Sequence, residues 1–167
     1  MPGFRVTKYD PQLRDASGAF LGDDWISVSD IGKAYGGRTL TRSEYLLVEL
    51  KYVAAVVAFM EVVRVDELTI SDLERRDALQ ARLGDLGCAD VLENGRIVRG
   101  TQLECVVRAA LREAAWFRLS GSNGAYVHFG FDYYMYVGST LPVLHFPKLP
   151  TGLFAERMAS PYWADEE

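Results

Sequence analysis

The stretch "TRSEYLLVELKYVAAVVAFMEVV", residues 41–63, restricts the fold more than any other. Thr41 and Glu44 stand in the T-x-x-E spacing of a capping box, which satisfies two backbone N–H groups at a helix start. From Tyr45 to Val63 apolar residues cover nearly every helical face. A helix apolar all round must be buried on most sides. The spacing therefore predicts a central helix of ~22 residues, about 33 Å long at 1.5 Å per residue.

A second helix is predicted in "TQLECVVRAALREAAW", with Thr101 and Glu104 repeating the capping box. Leu103, Val106, Val107, Ala110, Leu111 and Ala114 share one face, and Glu104, Arg108 and Arg112 line the opposite, solvated side. Between the helices, "ELTI" reads as a short strand. Ser71 and Glu74 then read as the cap of a helix ending near Gly84, with a loop over 84–98.

The ends of the chain are strand-like. "FRVTKY" alternates apolar and polar residues. An irregular loop follows it. "WISVSDIGKAYGG" is read as a short strand and one helical turn capped by Ser29 and stopped at Gly36-Gly37. These glycines lack the spacing and lysine of a phosphate loop. "WFRLSG", the turn "GSNG" and "YVHFGFDYYMYVG" form a β-meander, the last stretch being one strand or two joined at Gly130. The prolines of 142–150 keep that segment extended, "LFAERMASPYW" adds an edge strand, and the acidic "ADEE" is expected to fray. The expected fold class is α+β: one domain over 1–167, an antiparallel sheet from the C-terminal meander and the N-terminal strand, packed against two or three helices.

With 18 basic and 23 acidic residues the net charge is −5, which argues against direct nucleic-acid binding; it suits a basic protein partner, but mild acidity is also a common solubility device, and charge alone favours the latter. Cys88 and Cys105 have no metal spacing and are read as reduced thiols, Cys105 buried, with a disulfide between them as the alternative. Two histidines and no Ca²⁺-loop spacing predict no metal and no cofactor. The start of the chain lacks an apolar signal region. The longest apolar run, Tyr52 to Met60, falls far short of the ~20 residues of a membrane span. The expectation is a soluble, cytoplasmic protein.

Two groups of residues are candidates for binding. On a continuous strand, Val127, Phe129, Phe131, Tyr133, Met135 and Val137 form a core face. Tyr126, His128, Asp132, Tyr134 and Tyr136 form a polar-aromatic one. A bulge at Gly130 would move Tyr133 beside His128 and turn Asp132 away. His128 and Asp132 lie ~13 Å apart on such a strand and form no general-base pair unless the chain folds at Gly130. The second group is the acidic N-terminal loop: Asp10, Asp15, Asp23, Asp24 and Asp30, interleaved with Phe20 and Trp25. It is either an interface of aromatic anchors and carboxylates or a solvated loop. No catalytic residue is assigned.

Two blocks carry a resemblance. One comprises "FRVTKYDPQLRD", "DDWISVSDIG" and "LTRSEYLLVELKYV"; the other comprises "WFRLSG", "YVHFGFDYYMYVG" and "SPYW". Together they span about two thirds of the chain and resemble small bacterial immunity proteins of polymorphic and contact-dependent toxin systems. The resemblance implies a cytosolic, non-enzymatic inhibitor that binds and neutralises one cognate toxin domain, and it transfers no residue role. The binding hypothesis rests on Tyr126, His128, Asp132, Tyr134, Tyr136, Asp23, Asp24 and Trp25. The alternative is a small-ligand binder or enzyme using the polar-aromatic face of residues 126–136.

Overall fold

The computed structural model describes residues 1–76 and 86–163. Seven strands form one antiparallel sheet: β1 (Gly3–Thr7), β4 (Leu68–Arg75), β5 (Ile97–Val98), β6 (Ala115–Ser120), β7 (Tyr126–Phe129), β8 (Met135–Gly138) and β9 (Phe154–Arg157), in the order β5-β4-β6-β7-β8-β1-β9. A separate two-stranded hairpin joins β2 (Ala34–Tyr35) to β3 (Arg38–Thr39). The helices are α1 (Arg42–Val63) and α2 (Gly100–Leu111). The fold is α+β, and the N-terminal strand sits between the meander and the last strand.

Period-two alternation sorts the strands into two faces. Phe4, Val6, Ile70, Phe117, Leu119, Val127, Phe129, Met135 and Val137 are buried in one core with Val53, Val56 and Phe59 of α1 and Leu103, Val106 and Val107 of α2. The opposite face carries Glu156, Arg5, Tyr136, His128 and Arg118, paired in that order across the sheet, with Tyr126 two residues before His128 on β7.

α1 starts at the capping box read from the sequence, with Thr41 accepting from the Glu44 N–H and Glu44 accepting from the Thr41 N–H. Its apolar surface is buried on the inner side only; Leu47, Leu50 and Val62 are 54%, 53% and 47% exposed. α2 corrects the second capping box. Its N-cap is Arg99, with no side-chain cap, because the helix starts one residue before Thr101. It also ends earlier than expected. Glu113 at φ 57 turns the chain, and Ala115 and Trp116 enter β6.

β4 is one strand of eight residues, so Ser71 and Glu74 do not cap a helix. Its pairing with β6 shifts register between Ser71 and Glu74, where Asp72 adopts φ 53, a bulge that hides the strand pattern. The expected continuation toward Gly84 lies outside the described residues, as does the acidic end after Trp163. Near the N-terminus, the expected turn is a 3-10 turn at Val28–Asp30 capped by Ser27 rather than Ser29. Gly36 and Gly37, at φ 54 and 78, form the tight turn of the β2–β3 hairpin rather than a helix stop. The two cysteines are not joined in a disulfide, Cys88 being buried and Cys105 only partly so.

Candidate functional site

The stretch over 126–138 folds into the hairpin β7–β8, with His128 opposite Tyr136 and Tyr126 opposite Gly138. Tyr126, His128 and Tyr136 therefore share the outer face, but none is open to solvent. Residues after β9 run back across that face. Ser160 Oγ hydrogen-bonds His128 Nδ1 at 2.8 Å, and Trp163 stacks over His128 and Tyr126 at centroid distances of 5.8 and 5.0 Å. Tyr162 meets Trp116 and Tyr136 edge-on, each at 6.0 Å. The phenol of Tyr126 spans the glycines beside it. A Cβ at Gly138 would lie 2.3 Å from its ring, and one at Gly3 would lie 2.2 Å from its hydroxyl. The polar-aromatic face is thus a second, small aromatic core roofed by the C-terminal segment.

The Ser160–His128 contact has the partners of a nucleophile–base pair but not the setting. Ser160 Oγ also accepts the Tyr162 N–H at 3.1 Å, which fixes the turn that carries it. Burial, helped by the nearby Arg118 charge, lowers His128 to about 4, so the ring is neutral near pH 7. Packed under Trp163 and far from open solvent, the pair closes the tail onto the sheet. Asp132 does not orient this imidazole; it lies in the turn between β7 and β8.

The stretch is thus two strands joined by a turn that begins at Gly130, the second of the two sequence readings, and the turn covers residues 130–134 rather than a bulge at Gly130 alone. Gly130 and Tyr134 close it through the Gly130 N–H on the Tyr134 carbonyl at 2.8 Å. Inside it Asp132 and Tyr133 are both left-handed, at φ 58 and 64. Left-handed backbone costs a non-glycine residue roughly 1 kcal/mol or more, so surrounding contacts must hold it. Two tyrosines do so. Tyr9 Oη donates to the Asp132 carbonyl at 2.7 Å, and Tyr52 Oη donates to the Tyr133 carbonyl at 2.8 Å. Tyr52 Oη also accepts the Lys8 N–H at 2.8 Å. Burial raises the Tyr52 and Tyr133 hydroxyls well above the ordinary value, which keeps them protonated.

The Tyr133 side chain turns inward, buried against Trp25, Tyr45 and Tyr52 at centroid distances of 4.9, 5.9 and 4.9 Å. Phe131 goes the other way and is 68% exposed, although alternation assigned it to the core. Asp132 is exposed beside it, and Tyr134 is half-buried, accepting from Arg14 Nη1 at 2.9 Å. The tip is a fixed loop that presents one aromatic ring and one carboxylate.

The acidic N-terminal loop uses its carboxylates on itself. Asp10 accepts the Gln12 N–H, Asp15 the Ser17 N–H and Asp23 the Gly36 N–H. Asp30 accepts the Ile26 N–H and pairs with Lys33. Asp24 lies 2.6 Å from Lys8 Nζ, which sits over the faces of Trp25 and Tyr9 at 4.1 and 4.3 Å. Burial pulls this lysine down to about 8, against the raising effect of Asp24. Trp25 is a core residue. Asp23, Asp24 and Trp25 are thus fasteners of the loop.

Arg108 and Arg112, read as part of a solvated face, turn instead to Glu49 of α1. Arg112 grips the buried carboxylate at 2.6 and 2.7 Å, and Arg108 approaches to 3.5 Å. A Glu in the middle of an apolar helix is the sequence signal for this bridge, but its partners lie 59 and 63 residues on, beyond any local pattern. Tyr9, Tyr52, Ser160 and Trp163 escaped sequence reading for the same reason.

No group of three or more His, Cys, Asp or Glu side chains is placed to hold a metal ion among the described residues. Among them, no helix is long and apolar enough to cross a membrane. No protein-family model, curated protein or solved structure matches the chain.

Proposed function

We propose that this chain is a binding protein without turnover, and that its ligand is a protein surface gripped by the tip of the β7–β8 hairpin. One observation carries the reading: two tyrosine hydroxyls hold a strained turn so that Phe131 stands 68% exposed with Asp132 beside it. Strain held at a loop tip is characteristic of binding and switch elements. An aromatic ring fixed in advance loses little entropy on docking and is the kind of residue that dominates an interface. Asp132 beside it, in a chain of net charge −5, favours a partner with an apolar pocket rimmed by Lys or Arg.

Toxin neutralisation is the form that the resemblance to immunity proteins adds. The partner is then one basic toxin domain, met in the cytoplasm. The test is co-expression and purification with the product of the adjacent gene, followed by calorimetry. A specific complex that Phe131→Ala weakens by about 30-fold or more supports the reading. A complex indifferent to Phe131→Ala and Asp132→Ala, or none at all, removes it.

A further inference from the structure

We infer that a cavity at the end of β8 away from the hairpin tip is a binding site for a small apolar carboxylate of about the size of benzoate, held by Arg157. The cavity measures about 170 Å³. Phe4 and Phe59 wall it on the core side, and Leu141, Pro142, Val143 and Leu144 wall it from the segment that follows β8. A hollow among apolar side chains costs the fold packing contacts, so it persists only where the surroundings are held apart. The segment over this one is tied at three points. At one end Ser139 and Thr140 donate side-chain hydrogen bonds to the Asn123 carbonyl at 2.8 and 2.6 Å. At the other, Phe146 packs on Phe4 and Phe59 at centroid distances of 5.4 and 5.8 Å. Between them Arg157 Nη2 donates to the carbonyls of Val143 and Leu144 at 3.0 and 2.6 Å. Pro142 stiffens the span. The hollow is therefore built into the fold.

The lining selects the occupant. An apolar cavity of roughly 150 Å³ stays dry and takes up benzene, so these walls fit one six-membered ring or an aliphatic group of that bulk. Water is a poor occupant. Ser139 and Arg157 are the polar side chains of the lining, and the Ser139 hydroxyl is spent, donating to Asn123 and accepting the Leu141 N–H at 3.1 Å. Arg157 supplies the charge. Its guanidinium lies over the Phe4 ring at 5.5 Å and gives only Nη2 to the roof. It pairs with no carboxylate among the described residues; its neighbour Glu156 lies on the other face of the sheet and is taken by Arg5. Nε and Nη1 are left for an anion. Arg157 and Leu144 are both exposed, so a ring seated between the walls brings its carboxylate to the guanidinium at the rim.

Titration of the full chain with benzoate to about 20 mM, followed by amide NMR shifts, tests this, since so small a ligand that fits is expected to bind at about 1 mM or tighter. The expected result is saturable shifts in residues 138–144 and Arg157, with the uncharged isostere benzamide about tenfold weaker or more. Arg157→Gln is expected to weaken benzoate about tenfold and benzamide less than about twofold, a split that loosening of the roof would not produce. Val143→Phe, which fills the cavity, is expected to abolish both, while Phe131→Ala leaves both unchanged. N-Acetylphenylalanine carries the same ring and carboxylate on a peptide stem and is expected to bind more weakly than benzoate; tighter binding would assign the site to a peptide C-terminus and overturn the proposal. Absence of saturable shifts overturns it too, as does equal binding of benzoate and benzamide or saturation that Val143→Phe leaves intact.

Discussion

Tyr52 Oη donates to the carbonyl of Tyr133 at 2.8 Å, tying the middle of α1 to a residue held at φ 64. The same oxygen accepts the Lys8 N–H, so one hydroxyl joins β1's exit, α1 and the hairpin tip. Tyr52→Phe removes both bonds and leaves a buried carbonyl unpaired. The expected loss is about 2–3 kcal/mol, read from urea unfolding. Tyr9→Phe is expected to cost less, about 1 kcal/mol, because water can reach the exposed Asp132. If the tip binds a partner, both variants slow complex formation without touching it, since the turn must be ordered again on docking.

Glu49 is 2% exposed and held by Arg112 from the neighbouring helix. Removing one member of a buried pair leaves the other charge uncompensated, so Glu49→Ala is expected to cost about 3–5 kcal/mol. The double variant Glu49→Met with Arg112→Met is expected to recover most of that, since apolar side chains of similar volume refill the site. Thermal unfolding of the two variants separates the outcomes. Equal destabilisation of single and double variants would show that the bridge contributes through more than charge compensation.

The sequence was most informative where structure depends on near neighbours. Thr41 and Glu44 set the start of α1, and alternation placed Val127, Phe129, Met135 and Val137 in the core. It misled where a single backbone residue resets the phase. Asp72 turns β4 through a bulge that resembles a helix cap, and Asp132 and Tyr133 reverse the strand that alternation carries on through Phe131. Phe131 moved from core to surface through that reversal alone. Distant partners were not legible either. The aromatic face of Tyr126, His128 and Tyr136 looked open because nothing local says that Ser160 and Trp163 return to cover it.

His128 supplies a pH test of this roof. Its folded value, about 4, lies below the ordinary 6.5 because the ring is buried. Above pH 6.5 the imidazole is neutral in both states and contributes no pH dependence. Between 6.5 and 4 the unfolded chain binds a proton that the folded chain refuses, so stability falls as pH falls through that window. Urea midpoints at pH 7, 6 and 5 are expected to decline in the wild type and to decline less in His128→Gln. Parallel slopes would mean that the ring protonates without disturbing the tail.

Trp163 closes the small outer core through its two ring contacts, with Tyr126 and His128. Trp163→Ala removes an aromatic cover while leaving the sheet pairing intact. The expected cost is about 1–3 kcal/mol, less than for an aromatic in the main core, because the half-exposed site lets water fill the gap. Solvent exchange of the amides in β7 and β8 should rise first, since the tail lies directly over them. Gly138 gives the independent check. Gly138→Ala drives a Cβ into the Tyr126 ring, so the same amides should lose protection although the tail's own sequence is unchanged. If neither variant alters exchange in β7 and β8, the tail only rests on the sheet and the outer core contributes nothing to the hairpin's rigidity.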